Sequence, residues 1–148
     1  MSIIIRECSP DDAAALARIN RERMGYDYPE ADTRAKLEKL LSRSSDRIFV
    51  AEEDGNVVGY AHTVEYDVIY APTMVNLMGI AVDSSYLRRG IGRMLLSAVE
   101  QWAREIGASG IRLVSGSERV QAHAFYETCG YKCSKTQLRF TKPLENEE

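Results

Sequence analysis

A chain of 148 residues with 45% hydrophobic content can bury one sizeable core and has no length for a second, which predicts a single domain over residues 1–148. Its formal net charge of −3, with no basic stripe, argues against nucleic acid as a partner. Arg6, Glu7, Asp11 and Asp12 break up the opening segment, so it reads as neither signal peptide nor membrane span, and a cytoplasmic location is expected.

Ile3-Ile4-Ile5 reads as a first strand. Ser9-Pro10-Asp11-Asp12 then supplies an N-cap, a proline at the first helical position and acidic residues in the first turn, predicting a helix to about Met24. Gly25-Tyr26-Asp27-Tyr28-Pro29 breaks it, and a second helix through about Ser42 places Ala35, Leu37, Leu40 and Leu41 on its inner side. Ile48–Glu52, the turn Asp54-Gly55-Asn56 and Val57–Val64 predict a hairpin, followed by a strand from about Val75 to Val82. Leu95, Leu96, Val99, Trp102, Ala103 and Ile106 then line one face of a helix that stops at Gly107. Past Ser115 come a strand end, a short helix and a glycine turn into another strand, with a frayed acidic tail from Glu145 to Glu148. The result is a mixed α/β architecture, a largely antiparallel sheet flanked by helices.

Between the strand ending at Val82 and its following helix lies Leu87-Arg88-Arg89-Gly90-Ile91-Gly92-Arg93. Glycines at a helix N-terminus expose unpaired N–H groups and the positive end of the dipole, which suits a phosphate. Arg88, Arg89 and Arg93 add forked cationic donors. An ordinary loop with solvated arginines fits the same residues. A dinucleotide fold fits less well, because Leu95 occupies the third glycine position, and the lysine and hydroxyl of a nucleotide-triphosphate loop are missing. The three cysteines, Cys8, Cys129 and Cys133, lack metal-ligand spacing, so no metal is expected.

Downstream, Ala122, Phe125, Tyr126, Gly130 and Tyr131 form an A-x-x-F-Y-x-x-x-G-Y segment. Together with Gly90 and Gly92 it resembles the GNAT superfamily of N-acetyltransferases, over nearly the whole chain. The resemblance implies a GNAT-like twisted sheet and acetyl-CoA as co-substrate. It assigns cofactor contacts to Ile80, Ala81 and Val82 on the fourth strand, to Arg88, Arg89, Gly90, Ile91, Gly92 and Arg93 in the loop, and to Arg119 and Tyr126. Leu87 replaces the family's first Arg/Gln, Arg119 replaces an asparagine, and Asn76, Met78 and Ile80 stand where many members carry a basic-role glutamate.

The implied reaction moves an acetyl group from acetyl-CoA directly to a primary amine of a small molecule or peptide. An alkylammonium of pKa near ~10 must lose a proton before it can attack. A backbone N–H near Ile80 would hold the oxyanion, and Tyr126 would supply a hydrogen bond or proton to the departing thiolate. Candidate bases are His62, Glu65, Tyr66, Asp67, Glu22 and Asp27, with Glu65 placed first, His62 read as a satisfied core histidine, and a water chain as an alternative to any of them. His123 shares the helix of Tyr126. Tyr26, Tyr28, Tyr66, Tyr70 and Tyr86, with Asp27, Glu30 and Asp67, suit an aromatic, acidic pocket for a cation, although tyrosines are also ordinary strand residues. The alternative function is a catalytically silent acyl-CoA-binding regulatory domain. A homodimer is compatible with a family of this size.

Overall fold

The computed structural model describes residues 2–145. Their contacts gather into two compact units, one ending at Val114 and the other starting at Ser115. The first unit carries a five-stranded sheet in the order β1-β2-β3-β4-β5. Its strands are β1 (Ile3–Glu7), β2 (Asp46–Glu53), β3 (Asn56–Val68), β4 (Ala71–Val82) and β5 (Ile111–Leu113). The first three pairings are antiparallel and β4 runs parallel to β5. Its helices are α1 (Ala13–Met24), α2 (Glu30–Leu41) and α3 (Ile91–Glu105). The mixed, largely antiparallel sheet with flanking helices is the architecture that the periodicity predicts.

The first helix starts later than its capping signal predicts. Ser9 and Asp12 do form a capping box, but it closes a short 3₁₀ turn over Pro10–Asp12, and α1 begins only at Ala13. The cause is the double duty of Asp12. Its carboxylate accepts the Ser9 N–H at 2.8 Å and both terminal nitrogens of Arg6 at 2.9 Å, which ties the turn to β1. Burial pushes the Asp12 carboxyl up, yet the Arg6 fork and the Ser9 N–H outweigh it and hold the group below the usual carboxylate range.

Strand alternation divides the side chains between two layers. Ile48 and Val50 of β2, Tyr60 of β3 and Ala81 of β4 join Leu16 and Ile19 of α1 and Leu37 of α2 in one core. The opposite face receives α3, whose buried stripe is Ile91, Leu95, Leu96, Val99, Trp102 and Ala103. Each such fully buried aliphatic side chain contributes about 1.5–3 kcal/mol, so this stripe fixes where α3 begins. Gly59 sets the closeness of that contact. A Cβ there would stand 3.1 Å from the Ala81 carbonyl oxygen and 3.4 Å from Ile91 and Leu95 side-chain carbons.

The hairpin of β3 and β4 is longer than Val57–Val64 and Val75–Val82 suggest, reaching Val68 and starting again at Ala71. Its outer end is half exposed, with Glu65, Tyr66 and Asp67 in place of the apolar residues that mark a strand. In the second unit, α4 spans Val120–Thr128, and Gly130 turns with φ 93°. The strand expected after that turn is absent among the described residues: 131–145 take no regular structure and join no ladder. Of the acidic tail, residues 146–148 lie outside the described residues.

Candidate active site

Strand β4 changes partners halfway along. Its parallel ladder with β5 ends at Leu77–Leu113, while its ladder with β3 continues to Val82. The β3 register steps from His62–Gly79 to Thr63–Leu77, so Met78 is an extra, bulged residue at the level where β5 departs. Beyond the bulge, Asp83 N–H bonds the Val58 carbonyl, and the period of two turns the main-chain groups of Ala81 toward β3 and those of Ile80 and Val82 toward the open side. Of Ile80, Ala81 and Val82, Ile80 and Val82 therefore offer donors and acceptors there, and Ala81 packs toward the α1 and α2 core.

The connection to α3 is tied down at both ends. Asp83 accepts the Ser85 N–H at 2.8 Å and Arg18 of α1 at 2.6 Å. The backbone bond from Ser85, then Arg18, hold its carboxyl below the ordinary range. Arg89 donates to buried Glu53 at 2.5 Å, and its guanidinium lies 5.1 Å from the Tyr86 ring centroid, so this arginine anchors the loop at β2. Arg88 and Arg93 make no ion pair among the described residues and are exposed.

Two residues of the loop adopt left-handed backbone, Arg88 at φ 64° and Gly90 at φ 78°. Gly90 N-caps α3 without a side-chain hydrogen bond, and the first intrahelical bond runs from Met94 N–H to the Gly90 carbonyl. The N–H groups of Ile91, Gly92 and Arg93 thus have no partner within the helix. Nothing lies within 4 Å of where a Gly90 Cβ would stand. Free donors, a helix dipole and open space form an anion seat built from main chain, and a pyrophosphate fits it.

On the face shared with α1 and α2, side chains cluster around the bulge. Tyr60 hydrogen-bonds Asn20 of α1, and burial pushes its phenol up. Asn76 accepts from Arg112 of β5 and donates to the Met78 sulfur at 2.9 Å, while Arg112 lies 4.2 Å from the Tyr66 ring centroid. His62 Nε2 meets Asp46 Oδ2 at 2.8 Å. Glu65 is not brought here. Alternation along β3 sets it opposite Val75, on the sheet face of Thr63 and α3, while His62, Val64 and Tyr66 face the other way. Asp46 and Arg112 escaped sequence reasoning because only the register joins them to His62 and Asn76.

In the second unit, Tyr126 is half-buried, with Phe125 and Tyr131 ring centroids 5.5 Å and 6.2 Å away. Burial raises its phenol above the ordinary value, with the charge of Arg119 pulling the other way, so the hydroxyl stays protonated at neutral pH and can donate. His123 bonds the Gly116 carbonyl at 2.8 Å. Among the described residues no group of three or more His, Cys, Asp or Glu is placed to hold a metal, and no helix is long and apolar enough to cross a membrane.

A model of the acetyltransferase (GNAT) family matches residues 13–131. An aminoglycoside N(6')-acetyltransferase type 1 from Stenotrophomonas maltophilia is 33% identical over 147 residues, covering 95% of this chain and 94% of that one. Among solved structures, an aminoglycoside N-acetyltransferase, AAC(6')-Iy, in complex with CoA aligns with a TM-score of 0.86 at 20% identity, over 97% of this chain and 96% of that chain. A transcriptional regulator from Bacillus halodurans C-125 aligns with a TM-score of 0.85 at 21% identity, over 95% of this chain and 100% of that chain. At such identities these two share the fold. The chain belongs to the acetyltransferase (GNAT) family, as an N-acetyltransferase that moves the acetyl group of acetyl-CoA to a primary amine.

Proposed function

We propose that the acceptor is a small polycationic amine of the aminoglycoside class. The observation that carries this is the connection between α1 and α2, where Tyr26 and Tyr28 are 61% and 49% exposed and flank the exposed Asp27. Asn20 links that segment to the sheet, since its carbonyl accepts the Tyr26 N–H at 3.2 Å while its side chain accepts the Tyr60 hydroxyl. Open aromatic faces beside a carboxylate suit a cationic sugar amine. The Stenotrophomonas maltophilia relative is named for aminoglycoside acetylation and aligns over most of both chains, which supports the same class.

In this reading the N–H groups of Ile91, Gly92 and Arg93, with Arg88 and Arg93 side chains, bind the pyrophosphate. Arg89 holds the loop rather than the ligand. Ile80 and Val82 bond the pantetheine and acetyl end, Arg119 contacts the CoA arm, and Tyr126 protonates the departing thiolate. The family match spans both compact units, which supports one catalytic domain. A cytoplasmic location goes with the free thiols of Cys8, Cys129 and Cys133. The test is thiol release from acetyl-CoA by the full-length protein against a panel of aminoglycosides and peptide amines. Turnover with an aminoglycoside, reduced about tenfold or more in kcat by Tyr126→Phe at unchanged acetyl-CoA affinity, is expected. Turnover confined to peptide amines would overturn the acceptor, and tight acetyl-CoA binding with no turnover on any amine would favour the regulatory alternative.

A further inference from the structure

His62 belongs to a side-chain pair whose geometry exceeds what core packing requires. It stands opposite Gly79 in the register, one rung from the bulged Met78 and from the point where β4 parts from β5. Gly79 presents no side chain there, and a Cβ on it would meet only the Tyr60 hydroxyl, at 3.6 Å. The imidazole keeps 20% of its surface open, whereas the Asp46 side chain beneath it is 3% exposed. Asp46 is fully engaged: Oδ2 meets His62 Nε2 at 2.8 Å, and Oδ1 takes Arg43 Nε and Ser45 Oγ, each at 3.2 Å.

We propose that His62 Nδ1 takes the ammonium proton from the acceptor amine, with Asp46 as the positioning residue that holds the ring for it. A carboxylate locked by Arg43 can only accept, so the His62 proton sits on Nε2 and the lone pair on Nδ1 is claimed by no donor among the described residues. That is the base-and-orienter arrangement of general-base catalysis. Glu65, on the other face, has no route to the bulge. The charged and titratable groups placed around the ring are Asp46 and Arg43 from β2 and the turn before it, Tyr60 on β3, and Tyr26 beyond Tyr60.

The step balances. The ammonium gives one proton to Nδ1, and the freed lone pair forms the C–N bond at the thioester carbon. The C–S pair leaves on sulfur, the second amine proton ends on the thiolate, and imidazolium returns its proton to water. The net products are acetamide, CoA thiol and one proton. The assignment rests on amine acetylation by this site, and loss of acetyl-CoA binding in the wild type would break that reading without bearing on His62.

Two measurements decide it. In the full-length enzyme His62→Gln should lower kcat about a hundredfold for the best alkylamine acceptor, at unchanged acetyl-CoA affinity by calorimetry. With O-methylhydroxylamine, which is almost wholly unprotonated at neutral pH, the deficit should largely disappear, and Asp46→Asn should follow the same pattern more weakly. Equal losses on both acceptors would overturn the proposal. Independently of any acceptor, imidazole nitrogen shifts by NMR should show His62 neutral with the proton on Nε2, His123→Gln removing the other histidine's signals among the two present. A ring protonated on Nδ1, or locked as imidazolium between about pH 6 and 8, would overturn it.

Discussion

The loop between β4 and α3 and the face of β3 and β4 toward α1 and α2 are made of different material. The loop offers main-chain N–H groups, held in place by Asp83, Arg18, Glu53 and Arg89 acting as struts. The face offers side chains, Asn76, Arg112, Tyr66, His62 and Asp46, brought together by register across three strand pairings. A main-chain site tolerates the loss of a side chain and fails when the backbone moves. A side-chain site behaves the other way round, and the two should separate cleanly under mutation.

The largest effect is expected where the backbone of the donor side is forced to shift. Gly59→Val would press carbon into the Ala81 carbonyl and the first turn of α3, 3.1–3.4 Å away. It should cost about 2–3 kcal/mol, a fall in Tm of roughly 5–10 °C, and weaken acetyl-CoA binding along with stability. A calorimetric scan with and without acetyl-CoA measures both.

On the acceptor side, Arg112→Ala removes the partner of Asn76 and the cation over Tyr66. It should raise KM for the amine about tenfold, or ~1.4 kcal/mol, with acetyl-CoA affinity unchanged. An equal loss for both substrates would mean that the two regions are not separate.

Asp83 tests the struts through pH. Its folded carboxyl titrates below the unfolded one, so its contribution is complete above about pH 4 and is lost as pH falls through the folded value. Asp83→Asn should be about 1 kcal/mol less stable than wild type at neutral pH, with the two stability curves converging in acid. Parallel curves in urea melts across the acid range would exclude this role. The smallest effect is expected at Arg88, whose left-handed φ strains a residue with a Cβ. Arg88→Gly should gain up to about 1 kcal/mol in stability while weakening acetyl-CoA only a few-fold, through one lost charge.

The opening of α3 was legible because it follows from local signals. Gly90 and Gly92 before an apolar stripe from Leu95 to Ala103 mark a glycine-opened helix, and that is what forms. Even there, Arg89 was assigned to the ligand, since sequence cannot reveal that buried Glu53, 36 positions earlier, claims it. The acceptor face was poorly legible. Glu65 looked suitable by residue type, but one position along a strand reverses the face, and the bulge at Met78, marked in the sequence only by the neighbouring Gly79, shifts the register. His62 read as a satisfied histidine and is one, through Asp46, but that partner precedes it by 16 positions in another strand and could not be named from the sequence. The capping residues at Ser9 were readable, whereas the pull of Arg6 on Asp12 that delays α1 was not.

If the N–H groups that open α3 carry most of the acetyl-CoA pyrophosphate, a backbone-level change at the loop should cost far more than loss of a side chain. Calorimetric titration of acetyl-CoA into wild type, Gly90→Glu and Arg93→Ala tests it most directly. A carboxylate at the free N–H groups should cost about a hundredfold in affinity, or ~2.7 kcal/mol, while loss of the exposed Arg93 charge costs less than about tenfold. Wild-type affinity in Gly90→Glu, with binding abolished in Arg93→Ala, would place the cofactor on side chains instead.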